Sequence, residues 1–273
     1  MESYSVLMTV YKKDNPQYVK AGIDSMLAQT HKTNDFVLVC DGELPDELNA
    51  VIDSYADDNP DVFNIVRLPE NVGLGAALRH GVPLCKNELV ARMDNDDISY
   101  DFRCEKQVKR FEEQPELELI GGHVDEFCED KKIVCTRYVP VSPEEIKKYS
   151  RRRNPFNHST VMFKKSAILK YGNYSSMRTN QDVELWVRTL NSGCRAENLD
   201  MSLVMFRFGE DTYRKRKNKA NIKLMISVWK DFYKKGYCGL NDYIYVAAAM
   251  AYIRLVPTGM LKATYNAYMR TSF

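Results

Sequence analysis

Along the first hundred residues, short apolar runs rich in β-branched side chains alternate with stretches whose apolar positions recur every three or four residues. The runs predict strands at Tyr4 to Val10, Phe36 to Cys40, Val62 to Leu68 and Glu88 to Met93. The intervening stretches predict helices over Pro16 to Gln29, Asp46 to Tyr55 and Gly73 to Leu84, the first opened by Asp14 or Asn15 with Pro16 in its first turn. Alternation of this kind is the signature of βαβ units, so the expected class is α/β with a mostly parallel central sheet flanked by helices. Further along, the pattern predicts a helix at Asp101 to Gln114 and strands near Leu117 to Gly121 and Ile133 to Tyr138. A helix at Pro143 to Tyr149, a strand at Thr160 to Phe163 and helices at Lys165 to Tyr171 and Gln181 to Asn191 follow. The division expected is a core over 1–210 and a helical C-terminal extension over 211–273.

Polar residues stand directly after three of the strands: Tyr11, Asp41, and the run Asp94, Asn95, Asp96 and Asp97. In an open α/β sheet the ligand crevice lies beyond the carboxyl ends of the strands, so positions distant in sequence are expected to converge there. Composition narrows the partners. Lys and Arg total 39 against 37 Asp and Glu, a formal charge of +2 that gives no global reason to expect a nucleic-acid partner. Seven cysteines, an odd number with no CxxC pair and no preceding signal peptide, point to a reducing cytoplasm rather than a disulfide or structural zinc framework. No apolar run approaches the roughly 18 residues that span a bilayer, so any membrane role is expected to be peripheral.

Three segments suggest chemistry. Closely spaced Asp94, Asp96 and Asp97 repel one another, and at the end of a buried strand they call for a cation; hard oxygen donors favour magnesium or manganese. The same cluster also suits a solvated turn that caps the next helix. Asn71-Val72-Gly73-Leu74-Gly75-Ala76-Ala77 brings small residues to a helix start, where free amides favour an anion, although close helix-to-sheet packing explains the glycines equally well. Asp182, in Gln181-Asp182-Val183-Glu184-Leu185-Trp186, is either a partner of the helix dipole or, if it faces the crevice, a general base.

Taken together and in order, the run to Tyr11, Cys40-Asp41-Gly42, Asn71 to Gly81, Asp94 to Asp97, Asn154-Pro155-Phe156-Asn157-His158-Ser159-Thr160, Tyr171-Gly172-Asn173-Tyr174 and Gln181-Asp182 resemble the inverting family 2 glycosyltransferases. The likeness spans about residues 3 to 210 and is greatest to the bacterial amylovoran-type branch that builds capsule, exopolysaccharide and O-antigen. It implies a glycosyltransferase A-type, Rossmann-like fold and transfer of a hexose, galactose or glucose or an N-acetylated form, from a UDP-sugar. Where this family usually has an acidic pair after the second strand and Glu-Asp at the later motif, this chain has Cys40-Asp41 and Gln181-Asp182, each keeping the second aspartate.

Carried over by position, the resemblance implies that Tyr11 and Asp41 hold the uracil base, with Thr9 on the same nucleotide surface. Arg67, Asn71, Gly73 and Arg79 are expected along the nucleotide and its diphosphate. Asp94 would contact ribose or donor sugar and Asn95 would share that surface; Asp96, with Asp94, would bind Mn2+ or Mg2+ in the family's Asp-X-Asp element, supported by Asp97. His158 is a further candidate for the metal or diphosphate, Arg207 for the diphosphate, and Asp182 for the catalytic base. The implied acceptor is a polyprenyl-diphosphate-linked saccharide at the inner face of the cell membrane. The basic stretches Lys147, Lys148, Arg151 to Arg153 and Arg214 to Lys219 would find an anionic partner there. The apolar tail from Ile244 to Pro257 suits membrane-interface binding, packing on the core, or a homodimer contact. Two rival readings remain at this level. A sugar nucleotidyltransferase would carry a glycine-rich loop after the first strand, where Lys12-Lys13-Asp14-Asn15 has no glycine, and a non-catalytic nucleotide-sugar binder would not need Asp96 and Asp182.

Overall fold

The computed structural model describes residues 1–128, 132–209, 217–257, 259–261 and 264. Its first half is built as the periodicity predicts. Strands β1 (Tyr4–Val10), β2 (Asp35–Cys40), β3 (Phe63–Arg67) and β4 (Leu89–Met93) pair in parallel in the order β3-β2-β1-β4. Helices α1 (Pro16–Leu27), α2 (Asp46–Asp58) and α3 (Leu74–Gly81) make the crossovers. Apolar side chains fill both faces of these strands: Val6, Met8 and Phe36 lie in one buried cluster, and Leu7, Val37 and Val39 in another. That is why the strands read as continuous apolar runs. Asn15, not Asp14, caps α1, its Oδ1 accepting from Gln17 N at 2.9 Å. The helix expected to run to Leu84 stops at Gly81, and a 3-10 turn covers Val82–Leu84, because Pro83 has no N–H to continue the ladder.

The second half departs from a parallel sheet. After the short β5 (Ile98–Ser99) and α4 (Arg103–Glu113) come β6 (Leu119–Phe127), β7 (Ile133–Arg137), α5 (Pro143–Ser150), β8 (Met162–Lys164), α6 (Lys165–Lys170), α7 (Gln181–Asn191) and β9 (Ala196–Arg207). The sheet continues β4-β8-β6-β9-β5, with β7 beside β6; of these added pairs only β6–β9 is parallel. The sheet is therefore mixed rather than parallel throughout. β9 carries no clear alternation, since Glu197, Asn198 and Asp200 interrupt its apolar positions and its register against β6 shifts at Gly122 and His123. Its partner β6 extends well past Gly121, where a strand end was expected.

Two helices follow, α8 (Lys219–Lys234) and α9 (Leu240–Leu255). Val228, Trp229 and Phe232 of α8 pack with Val183 and Val187 of α7, and Trp229 Nε1 donates to Arg151 O at 2.9 Å. α9 is different: Val246 is its one buried residue, while Ile244, Tyr245, Tyr252 and Leu255 are exposed. The expected boundary near 210 and the cations Arg214, Lys215 and Arg216 lie outside the described residues. Among the described residues no helix is long and apolar enough to cross a membrane.

Candidate active site

The carboxyl ends of β1, β2 and β4 open on one side of the sheet, as parallel pairing requires. At the end of β2, Asp41 is buried and its carboxylate accepts from Val72 N at 2.7 Å, from Gly73 N at 3.0 Å and from Asn71 Nδ2 at 2.9 Å. The anion expected at the start of α3 is thus supplied from within the chain, by Asp41. Gly73 there has φ +92°, and a Cβ on Gly75 would sit 2.3 Å from Ser175 O, so these glycines serve a tight turn and close packing. Arg67 donates to Asn49 Oδ1 at 2.7 Å and pairs with Asp53 at 2.6 Å, both on α2. Arg79 donates to Gly172 O and Tyr174 O. Both guanidinium groups are engaged within the fold.

At the end of β1 and β4 the acidic residues gather. Asn95 Nδ2 donates to Thr9 O at 2.7 Å and to Asp14 Oδ2 at 2.5 Å, and Asp14 Oδ2 also accepts from Tyr11 N at 2.8 Å. Burial, reinforced by Asp96 and Asp94, pushes the Asp14 carboxyl up to about 6 against the pull of those two donors. Asp97 is buried; its Oδ1 accepts from Arg207 N at 2.9 Å, and the Ser159 side chain lies against its carboxylate. Burial, then Asp96 and Asp94, raises its pKa well above the ordinary value. Asp96 itself is exposed, and the Arg207 side chain donates to its backbone oxygen at 2.9 Å while lying 3.7 Å over the Tyr18 ring. Tyr11, 38% exposed, stands beside this group.

This excess of like-charged carboxylate is the donor chemistry a hard divalent cation takes. Asp94 and exposed Asp96 are the residues that fit such an ion. Among the described residues, however, no three His, Cys, Asp or Glu side chains converge as a preformed ligand set, so His158 is not drawn into a common cluster with them. His158 Nε2 instead lies 3.0 Å from Tyr174 Oη, and burial together with Arg92 holds its pKa well below the usual value, leaving a neutral ring.

Across the crevice stands Asp182, in the first turn of α7, whose N-cap Asn180 adopts a left-handed φ of 60°. Burial raises the Asp182 pKa against donation from Val183 N, the charge of Arg92 and an Asn154 Nδ2 bond of 2.6 Å to Oδ2. A half-buried carboxylate whose pKa burial raises, and which Asn154 and Val183 N hold in place, is suited to accept a proton. Arg92 links the two sides. It is buried in β4 with 1% of its side chain exposed, its guanidinium grips both carboxylate oxygens of Asp94, and it lies within electrostatic reach of Asp182 and Tyr174. Asp94, His158 and Asp182 line one cavity of about 780 Å³, which extends under α8 and α9.

Of the expected site residues, the structure thus joins Thr9, Tyr11 and Asn95 at one strand-end cluster, places Asp94, His158 and Asp182 around one cavity, and ties Asp41 to Asn71 and Gly73. Sequence reasoning missed Asp14, Arg92 and the role of Asn154. A charge in the middle of the apolar run Leu89-Val90-Ala91-Arg92-Met93 was a signal, since a buried guanidinium needs a carboxylate partner.

The glycosyl transferase family 2 profile matches residues 5–179, most of the core just described. The chain is a family 2 glycosyltransferase. A relative in Escherichia coli, UDP-Gal:alpha-D-GlcNAc-diphosphoundecaprenol beta-1,3-galactosyltransferase, is 34% identical over 275 aligned residues covering 98% of this chain and 96% of that protein. The amylovoran biosynthesis glycosyltransferase AmsE of Erwinia amylovora is 37% identical over 227 residues, covering 83% of this chain and 84% of its own. The fold of this family 2 transferase is shared by a mannosyltransferase of Pyrobaculum calidifontis solved with GDP-Man and Mn2+. That likeness has a TM-score of 0.65 at 15% identity, over 100% of this chain and 76% of that one. The resemblance to bacterial polysaccharide and O-antigen glycosyltransferases expected from the motifs is borne out, as is the glycosyltransferase A-type fold.

Proposed function

We propose that this transferase moves a hexose, galactose or glucose or an N-acetylated form, from a UDP-sugar to a polyprenyl-diphosphate-linked saccharide, with inversion at the anomeric carbon. The observation that carries the reading is the single cavity in which Asp182 faces the Asp94 strand end, with buried Arg92 between them. In this scheme the acceptor hydroxyl oxygen attacks C1 of the donor sugar while the bond from C1 to the β-phosphate oxygen breaks. The proton passes to Asp182 and the electron pair leaves with UDP. Asn154 holds Asp182 in place by its 2.6 Å bond, and Arg92 favours the ionised base. Asp94 and Asp96 are assigned a divalent cation, which when bound offsets the charge that develops on the leaving diphosphate. Tyr11, Thr9 and Asn95, with the turn that Asp41 braces, are assigned to the nucleotide. Support for the donor and acceptor comes from the activity the Escherichia coli relative is named for, and for the cation from the Mn2+ in the Pyrobaculum calidifontis mannosyltransferase complex.

We place the enzyme at the inner face of the cell membrane, held there in part by α9, because that helix leaves Ile244, Tyr245, Tyr252 and Leu255 to solvent. The test of the function is a screen of UDP-sugars for Mn2+-dependent UDP release with a synthetic lipid-diphosphate sugar. Release that depends on the acceptor supports transfer. Nucleotide-sugar synthesis from sugar phosphate and UTP, or tight donor binding without any product, would replace it with one of the two rival readings.

A further inference from the structure

The cavity that holds Asp182 combines a carboxylate, guanidinium groups and apolar side chains. Asn154 is bonded to Asp182, and the two residues before it, Arg153 and Arg152, line the same cavity. Arg152 pairs with Asp242 at 2.6 Å and stands 4.8 Å over the Tyr245 ring of α9; Arg153 lies 5.7 Å over the Tyr149 ring of α5 and against Tyr245. Three consecutive residues, Arg152, Arg153 and Asn154, thus line the cavity that also holds Asp182. The rest of the lining comes largely from the C-terminal helices, where Val246, Ala249, Met250 and Ile253 of α9 and Met225 of α8 supply apolar surface next to Val183. Arg137, which also lines the cavity, is paired with Glu126 at 3.8 Å and lies 4.6 Å over the Phe206 ring.

Resting on the function proposed above, we infer that Arg152 and Arg153 grip the diphosphate of the acceptor while α8 and α9 hold the first units of its prenyl chain. The charges match the occupant. Among the described residues no carboxylate pairs with Arg153, and Asp242 neutralises only Arg152, so the site carries the positive charge a diphosphate would balance. Planar guanidinium groups bind phosphate oxygens in pairs, and a cavity of about 780 Å³ is within the range that encloses most of a mid-sized ligand. The cavity offers a carboxylate, a guanidinium pair and apolar surface, the three chemistries of a hydroxyl-bearing sugar, a diphosphate and a hydrocarbon chain. α9 thus serves as part of the acceptor site through its cavity-lining residues, while its exposed Ile244 and Leu255 lie outside that lining.

The test compares three acceptors with the full-length protein: a sugar diphosphate with a long alkyl tail, the same with a short tail, and the neutral long-alkyl glycoside of the same sugar. Arg153→Gln is expected to raise KM for both diphosphates by roughly 10- to 100-fold, the reach of a charge-assisted hydrogen bond, and KM for the neutral glycoside by less than about threefold. Ala249→Trp is expected to raise KM for the long-tailed acceptors and not for the short-tailed one. UDP affinity, measured by calorimetry, should stay within about twofold of wild type in each variant. If Arg153→Gln loses UDP affinity through misfolding, Arg152→Gln, whose side chain is half exposed, carries the same comparison. Equal losses on neutral and diphosphate acceptors, or none, overturn the inference while leaving the transferase reading intact. A wild-type enzyme that transfers to none of the three overturns both.

Discussion

The two walls of the crevice are made differently. The wall formed by the ends of β1, β2 and β4 is rich in carboxylates and rigid by backbone register: Asp41, Asp14 and Asn95 are fixed by hydrogen bonds to neighbouring turns and Asp94 by Arg92 of β4. The opposite wall, from 152 to 158 and Asp182, is rich in arginine and apolar surface and is assembled by side-chain packing between α7, α8 and α9. A parallel sheet brings strand ends together whatever the loops contain, so the first wall follows from topology. The second depends on where Trp229 and Phe232 dock, and its shape is free to follow a particular acceptor.

If the division is correct, breaking the acidic wall should be felt first in donor binding. Asp96→Ala is expected to abolish Mn2+-dependent UDP binding and turnover with little change in stability, because the residue is exposed; calorimetry with UDP and Mn2+ reads both. On the other wall, Asp182→Asn should lower transfer by roughly 100-fold or more while UDP-sugar affinity persists, a split between kcat and binding that steady-state and binding measurements on one preparation resolve.

Arg92 joins the walls, so its loss should cost stability before specificity. Arg92→Met leaves Asp94 without its buried partner and is expected to destabilise the fold by about 3 kcal/mol, read from urea unfolding. Asn154→Ala tests the base more gently. Donation from Asn154 favours ionised Asp182, so its removal raises a pKa already raised by burial, and the acid limb of the kcat profile should move to higher pH. The smallest effect concerns Asp14. Its folded pKa of about 6 lies above the unfolded value of 3.8, so the native state binds its proton more tightly and loses stability as pH rises from about 4 through 6. Asp14→Asn in chelator should therefore raise Tm by a few degrees at pH 7 and by progressively less as the pH falls towards 4.

The same contrast explains what could be read in advance. Tyr11, Asp41 and the Asp94 cluster were visible because each follows an apolar run at a strand end, and the helices of the first half were visible through their spacing. Asp14 was hidden because it reads as a helix cap, a task that Asn15 performs. β9 was hidden because Glu197, Asn198 and Asp200 break its pattern, their side chains serving pairings specific to this fold such as Glu197 with Arg110 and Asp200 with His123. Nor does any local pattern reveal that a cation at 152 or 153 shares a cavity with an aspartate at 182 and an alanine at 249. Those neighbours meet only through tertiary packing.

If Asp182 is the base of a single displacement, transfer inverts the anomeric carbon. Wild-type enzyme supplied with an α-linked UDP-hexose, Mn2+ and the lipid-diphosphate sugar should give a β-linked product, with the anomeric configuration assigned by the coupling of its anomeric proton in NMR. An α-linked product, or free hexose released with UDP and no disaccharide, would contradict it.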